Sequence, residues 1–160
     1  MRTWTVALLV AVTVTACGSE EEPAGSGLSI EEPWVKSADD GMTAAFGTLV
    51  NDGDEDLRIV AAESPSAPEL ELHEVAMGDA GEMVMREKDG GFVVPAGGEH
   101  VLEPGADHLM LMDLAAPIAP GDDVEFVLTL EDGTTVEFVA QAKDFAGADE
   151  DYQPGSGHDG

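Results

Sequence analysis

Residues 124–142 read VEFVLTLEDGTTVEFVAQA, two runs of alternating apolar and polar residues joined by Glu-Asp-Gly-Thr. Alternation of period two puts every second side chain on one face of a strand, the signature of a half-buried β-strand. Asp132-Gly133 at the junction predicts a tight hairpin, because Asp-Gly suits the primed turns whose twist matches that of the strands. Phe126, Leu128, Leu130, Val136 and Phe138 then face a common core.

The same grammar extends outward. The runs 28–37 (LSIEEPWVKS), 42–51 (MTAAFGTLVN), 57–64 (LRIVAAES), 69–75 (ELELHEV), 82–87 (EMVMRE), 91–95 (GFVVP), 99–104 (EHVLEP) and 108–114 (HLMLMDL) also read as strands. The segments between them, among them NDGDED, SPSAP, KDGG and EPGAD, are rich in residues that favour turns. No stretch has a sustained period near 3.6, so an all-β sandwich or barrel follows. About 115 residues suffice for such a domain to bury a core without disulfides. There is no internal repeat and no second domain.

The ends of the chain read differently. Arg2, an apolar run from about Val6 to Val14 and small residues before Cys17 make 1–16 an export signal, too short to span a bilayer as a helix. Val14-Thr15-Ala16-Cys17 resembles the lipobox of bacterial lipoproteins, which implies that Cys17 is lipidated and becomes the first mature residue. As the only cysteine of the chain, Cys17 has no intrachain disulfide partner. Residues 17–27 read as a flexible acidic linker, 28–145 as the folded domain, and 146–160, which contains His158, as a disordered tail. The expected location is the outer face of the cytoplasmic membrane, reached by export and held by the lipid on Cys17. With 34 Asp and Glu against six Lys and Arg, the formal charge is -28. Such a surface repels nucleic acid and attracts cations.

Chemistry concentrates in two segments. Apart from Met1, five of the six other methionines of the chain fall in LHEVAMGDAGEMVMRE and HLMLM, each with a histidine in or before it. Alternation places His73 opposite Leu70 and Leu72, away from the core, and sets His108, Met110 and Met112 on the face opposite Leu109 and Leu111. Thioether sulfur is soft and uncharged and imidazole is borderline, a donor set that suits Cu(I) and does not suit oxygen-seeking Ca²⁺ or Mg²⁺. Protons compete with such a site only at the imidazoles, near pH 6.5 or below in the unperturbed case. The competing reading for each methionine is core packing, where this residue is a common filler.

The order of these residues resembles the PCuAC-type periplasmic copper chaperone family, in its lipoprotein form. EEPWVKS, GMTAAFGTLVN, ELHEV…MVMR, PAGGEHVLEPGADHLMLMDL and GDDVEFVLTLEDG follow the family's order over roughly Leu28 to Ala142. The resemblance implies a cupredoxin-like Greek-key β-sandwich or barrel. It also implies a non-enzymatic carrier that binds Cu(I) outside the cytoplasm and delivers it to a cuproprotein recipient, a cytochrome c oxidase subunit or another copper chaperone. Carried over residue by residue, the ligands are His73, Met85, His108 and Met110. Each of the intervals His73–Met85 and Met85–His108 is one residue longer than in the family pattern, so Met83 competes with Met85, while Met77 and Met112 are outer candidates.

Two other classes are weighed against this one. A blue-copper redox protein needs a cysteine thiolate within the fold, and Cys17 lies outside it. No nucleophile elbow, zinc-protease helix or phosphate loop is present. The alternative to a copper carrier is a passive acidic surface lipoprotein that binds hard cations or a protein partner. NDGDED at 51–56 superficially resembles a calcium loop, without the remaining spacing or the terminal Glu. His100 is expected to point to solvent.

Overall fold

The computed structural model describes residues 27–78, 80–147 and 151–152. The expected signal peptide, Cys17 and His158 lie outside the described residues. The first strands are β1 (Leu28–Lys36), β2 (Thr43–Asn51), β3 (Leu57–Glu63), β4 (Glu69–Met77), β5 (Met83–Glu87) and β6 (Phe92–Val94). They are followed by β7 (Glu99–Leu102), β8 (His108–Met112), β9 (Asp123–Leu130), β10 (Thr135–Lys143) and the two-residue β11 (Asp151–Tyr152). The ten runs read from the sequence correspond in order to β1–β10, and the architecture is all-β. Asp151–Tyr152, within the segment read as lacking structure, pairs in parallel with Val84–Met85 at the sheet edge.

The hydrogen-bonded path runs β11-β5-β4-β8-β2-β1-β10-β9-β3-β6, with β7 paired to β2 off this path. The path folds back on itself, so β3 meets β4 and β6 meets β7. Phe92, Phe126, Leu49, Ile59, Leu109, Leu111 and Leu128 fill the enclosed core.

β9 and β10 pair as the opening stretch predicts, with Phe126 opposite Phe138 and their rings stacked at 5.0 Å. Phe126, Leu128 and Leu130 are buried, whereas Val136 and Phe138 pack against the core half-buried. The turn differs from the expected primed type. The Gly133 amide donates to the Leu130 carbonyl at 2.9 Å, closing a turn in which Gly133 alone takes a positive φ, 86°. This is a type I turn with a left-handed glycine, the three-residue hairpin loop. The Asp132 carboxylate accepts from the Thr134 amide at 2.8 Å, a bond that holds Asp132 in the right-handed region the primed turn would forbid.

A second glycine is required by close approach. At Gly91 (φ 72°) a Cβ would lie 1.9 Å from the Ile59 carbonyl oxygen, so no side chain fits where β6 joins β3.

The NDGDED loop is organised around Asn51, which is buried. Its amide nitrogen donates to the carbonyls of Glu55 (2.8 Å), Val94 (3.1 Å) and Pro95 (3.1 Å), and its oxygen accepts from the Gly53 amide at 2.9 Å. The acidic loop is therefore a backbone clasp. Asn51→Ala strands these buried carbonyls and should cost about 2–4 kcal/mol in urea unfolding, whereas Asp54→Ala, on the exposed rim, should stay within about 0.5 kcal/mol.

Candidate metal centre

Four neighbouring strands, in the order β5-β4-β8-β2, build the site. β4 and β8 pair antiparallel with Leu72 opposite Leu109 and Leu70 opposite Leu111, and these leucines turn toward the core. The register fixes the other face at the same time, because side chains alternate. His73 lies opposite His108 and Glu71 opposite Met110. β5 adds Met85 opposite Val75, and β2 adds Ala44 opposite Met110.

Alternation puts His73 away from the core, and the structure shows that this face is nonetheless buried. Ala44, Phe46, Met85 and Met110 form a second apolar cluster, with Trp34, Val75 and Met112 packed against it. His73 and His108 are both buried, their ring centroids 5.4 Å apart and their planes nearly perpendicular at 69°. The period of two identified the face correctly. It could not reveal that β5 and β2 supply a second layer of apolar side chains around it.

For the neutral form of each imidazole, hydrogen bonds select the tautomer. The Nδ1–H of His108 donates to the Ala106 carbonyl at 2.8 Å, since a carbonyl only accepts, and this leaves the ring lone pair on Nε2. His73 pairs through Nε2 with the Glu71 carboxylate at 2.5 Å, which puts its lone pair on Nδ1. A carboxylate behind an imidazole is the usual way to fix the orientation of a metal-binding histidine. Glu71 carried no expectation from sequence, although its place two residues before His73 puts it on the same face.

The two candidates for the middle methionine separate. Met85 is buried in the cluster beside Met110, while Met83 sits opposite Met77 at the far end of the β4–β5 ladder. Met77 and Met83 are 71% and 51% exposed. Met112 is half-buried at the rim of the cluster. A cavity of about 180 Å³ opens onto Met85, His108 and Met110, and its wall also includes Phe46 and Met42. Met42 carried no sequence expectation because no histidine lies near it in the chain. Its place two residues before Ala44 and four before Phe46 was the available signal, legible only once β2 is known to flank β8.

His100 does not point to solvent as expected. Its ring stacks on Phe92 at 5.2 Å, and Nε2 bonds the Asp107 carboxylate at 2.9 Å. Asp107 also holds Lys88 at 3.2 Å, and Lys88 and Arg86 hold Glu74 at 3.1 and 2.9 Å. This network brackets the two histidine-bearing strands. Burial works to lower the Lys88 pKa, and the hydrogen bonds and charges of Glu74 and Asp107 outweigh it, holding it above its ordinary value. Burial likewise works to raise the Glu74 carboxyl, and Lys88 and Arg86 hold it below the ordinary range.

Among the described residues no group of three or more His, Cys, Asp or Glu is placed to hold a metal ion, so the donors brought together are two imidazoles and two thioethers.

PCuAC domains are among the solved structures that share this fold. The copper-bound PCuAC domain from PmoF2 superposes with a TM-score of 0.63 at 18% identity, covering 76% of this chain and 97% of that one. Apo-DR1885 from Deinococcus radiodurans gives 0.59 at 24% identity over 91% of this chain and 97% of its own. The CuI-DR1885 structure from the same organism gives 0.57 at 27% identity over 80% and 87%. The class is thus the cupredoxin-like β-sandwich expected from sequence. A curated relative from Leifsonia xyli subsp. xyli, "Putative lipoprotein Lxx21020", is 38% identical over 143 residues, 89% of this chain and 86% of its own length. Residues 28–142 match the family described as "Putative lipoprotein LpqE-like", and the chain belongs to that family.

Two measurements check this geometry. Under mild hydrogen peroxide, Met77 and Met83 should oxidise at least about tenfold faster than Met85 and Met110, as mass spectrometry of the peptides would show, because sulfoxidation follows exposure. Lys88→Met should lower stability by about 1 kcal/mol or less at neutral pH, the pairs being partly exposed. A raised folded pKa means that the Lys88 contribution is fully present below the unfolded value of about 10.4 and is lost as pH rises through the folded one. The gap between wild type and Lys88→Met in thermal unfolding should therefore close in strongly alkaline buffer.

Proposed function

We propose that this protein is an extracytoplasmic Cu(I) carrier whose metal is held by His73, Met85, His108 and Met110. The observation that carries the reading is the pairing of His73 with His108 across β4 and β8, with Met85 and Met110 in one buried cluster on the same face. Two neutral imidazoles and two thioethers match the preference of a soft, filled-shell monovalent ion. The apolar surroundings keep water and hard ligands from the metal. The solved copper-bound PmoF2 domain and CuI-DR1885, whose fold this chain shares, support the same reading.

The function is carriage without turnover. The lipoprotein names of the family and of the Leifsonia relative support the lipid anchor at Cys17 and a place on the outer face of the cytoplasmic membrane. The PCuAC resemblance supports delivery to a membrane-bound cuproenzyme such as cytochrome c oxidase, directly or through another copper chaperone.

Because all four donors are buried, alanine at these positions would test packing as much as ligation. Met85→Leu with Met110→Leu conserves volume, at a cost of roughly 1.5 kcal/mol or less per site. X-ray absorption of the Cu(I)-loaded protein should count two sulfur and two nitrogen neighbours. In the double variant the sulfur shell should vanish and affinity should fall on the order of 100-fold or more, with folding retained. An oxygen-only shell in wild type, or undiminished affinity in the variant, would sink the assignment.

A further inference from the structure

The four proposed ligands are too well buried to meet an incoming ion or a receiving donor unaided. His73, on the inner side of the site, does not line the 180 Å³ cavity, whereas Met85, His108 and Met110 do. The cavity is therefore the side from which the metal is reached. Its wall carries a further thioether, that of Met42, just before the start of β2. Met42 is 41% exposed, against 6% for Met85 and 3% for Met110, so one soft donor of the cavity wall is open to solvent. The other well-exposed methionines among the described residues, Met77 and Met83, lie on the β4–β5 hairpin and do not line the cavity. Lys36, which does line it, donates from Nζ to the Gly147 carbonyl.

We propose that Met42 is a transfer ligand: an exposed thioether at the mouth of the cavity that passes Cu(I) to His108 and Met110 during loading and takes it from them during release. The inference rests on the copper reading above. A soft ion held by neutral donors changes hands by ligand exchange, in which a new donor binds before an old one leaves. A thioether at the mouth supplies an intermediate coordination position between the buried set and the outside. No proton need move, because neither the resident nor the entering sulfur is ionised.

The test compares equilibrium with rate. Full-length protein loaded with one Cu(I) under reducing conditions is mixed with excess bathocuproine disulfonate, and transfer is followed by absorbance. Met42→Leu keeps the apolar bulk and removes the sulfur; Met42→Ala removes both. A transfer role predicts that each variant holds Cu(I) within about threefold of the wild-type affinity and releases it at least about fivefold more slowly, roughly 1 kcal/mol in barrier. Met77→Leu with Met83→Leu, away from the cavity, should release at the wild-type rate. Unchanged release in both Met42 variants would overturn the inference, as would faster release from Met42→Ala, which marks a steric lid. A large loss of affinity would also overturn it, by making Met42 a resident ligand. Failure of wild type to take up Cu(I) at all would instead remove the copper reading itself, an outcome separable from each of these.

Discussion

The antiparallel register of β4 against β8 is the constraint on which the site depends. It is set by apolar packing, with Leu72 opposite Leu109 and Leu70 opposite Leu111 facing the main core. A slip of one residue would turn those leucines outward and bring the histidines inward, at the cost of several buried side chains. The hydrophobic core thus fixes the meeting of His73 with His108 without either imidazole contributing to it. Each further donor arrives by the same logic, Met85 through the β4–β5 ladder and Met110 through its own alternation with Leu109 and Leu111.

What the sequence made legible follows from this. Strands and their faces are local properties, so HLMLM and ELELHEV could be sorted into core and site sides from alternation alone. The order of strands in space is not local. Nothing in residues 69–75 says that Phe46 and Ala44 of a strand more than twenty residues earlier close over the same face. That is why His73 reads as exposed beside two glutamates and is buried in fact. The same limit hid Met42, whose neighbours in the chain carry no donor and whose neighbours in space do. The hairpin turn failed for a different reason: Asp-Gly admits both turn types, and the Asp132–Thr134 hydrogen bond selects between them.

The acidic surface and the site follow separate rules. The chain carries a formal charge of -28, yet the residues of the proposed centre are neutral or buried, and Glu71 is the carboxylate that bonds directly to one of them. Around them, Asp107 and Glu74 are engaged by His100, Lys88 and Arg86. Scarce cations are placed beside the site strands, where they pair with the carboxylates of Glu74 and Asp107. The NDGDED loop follows a third rule, its first residue being spent on backbone carbonyls.

The parallel pairing of β1 with β10, Trp34 beside Gln141, has a consequence for the order of events in time. A chain that leaves its synthesis or export machinery amino end first presents β2, β4, β5 and β8 before β10. The sheet order places β10 between β1 and β9, so the hydrogen-bonded path from the donor-bearing strands through β1 to β9 is complete only when the last long strand arrives. Closing so long a loop is slow, because the entropy is lost before the contacts form. Completion of that sheet path therefore waits on residues 135–143, a segment that carries none of the four clustered His and Met side chains.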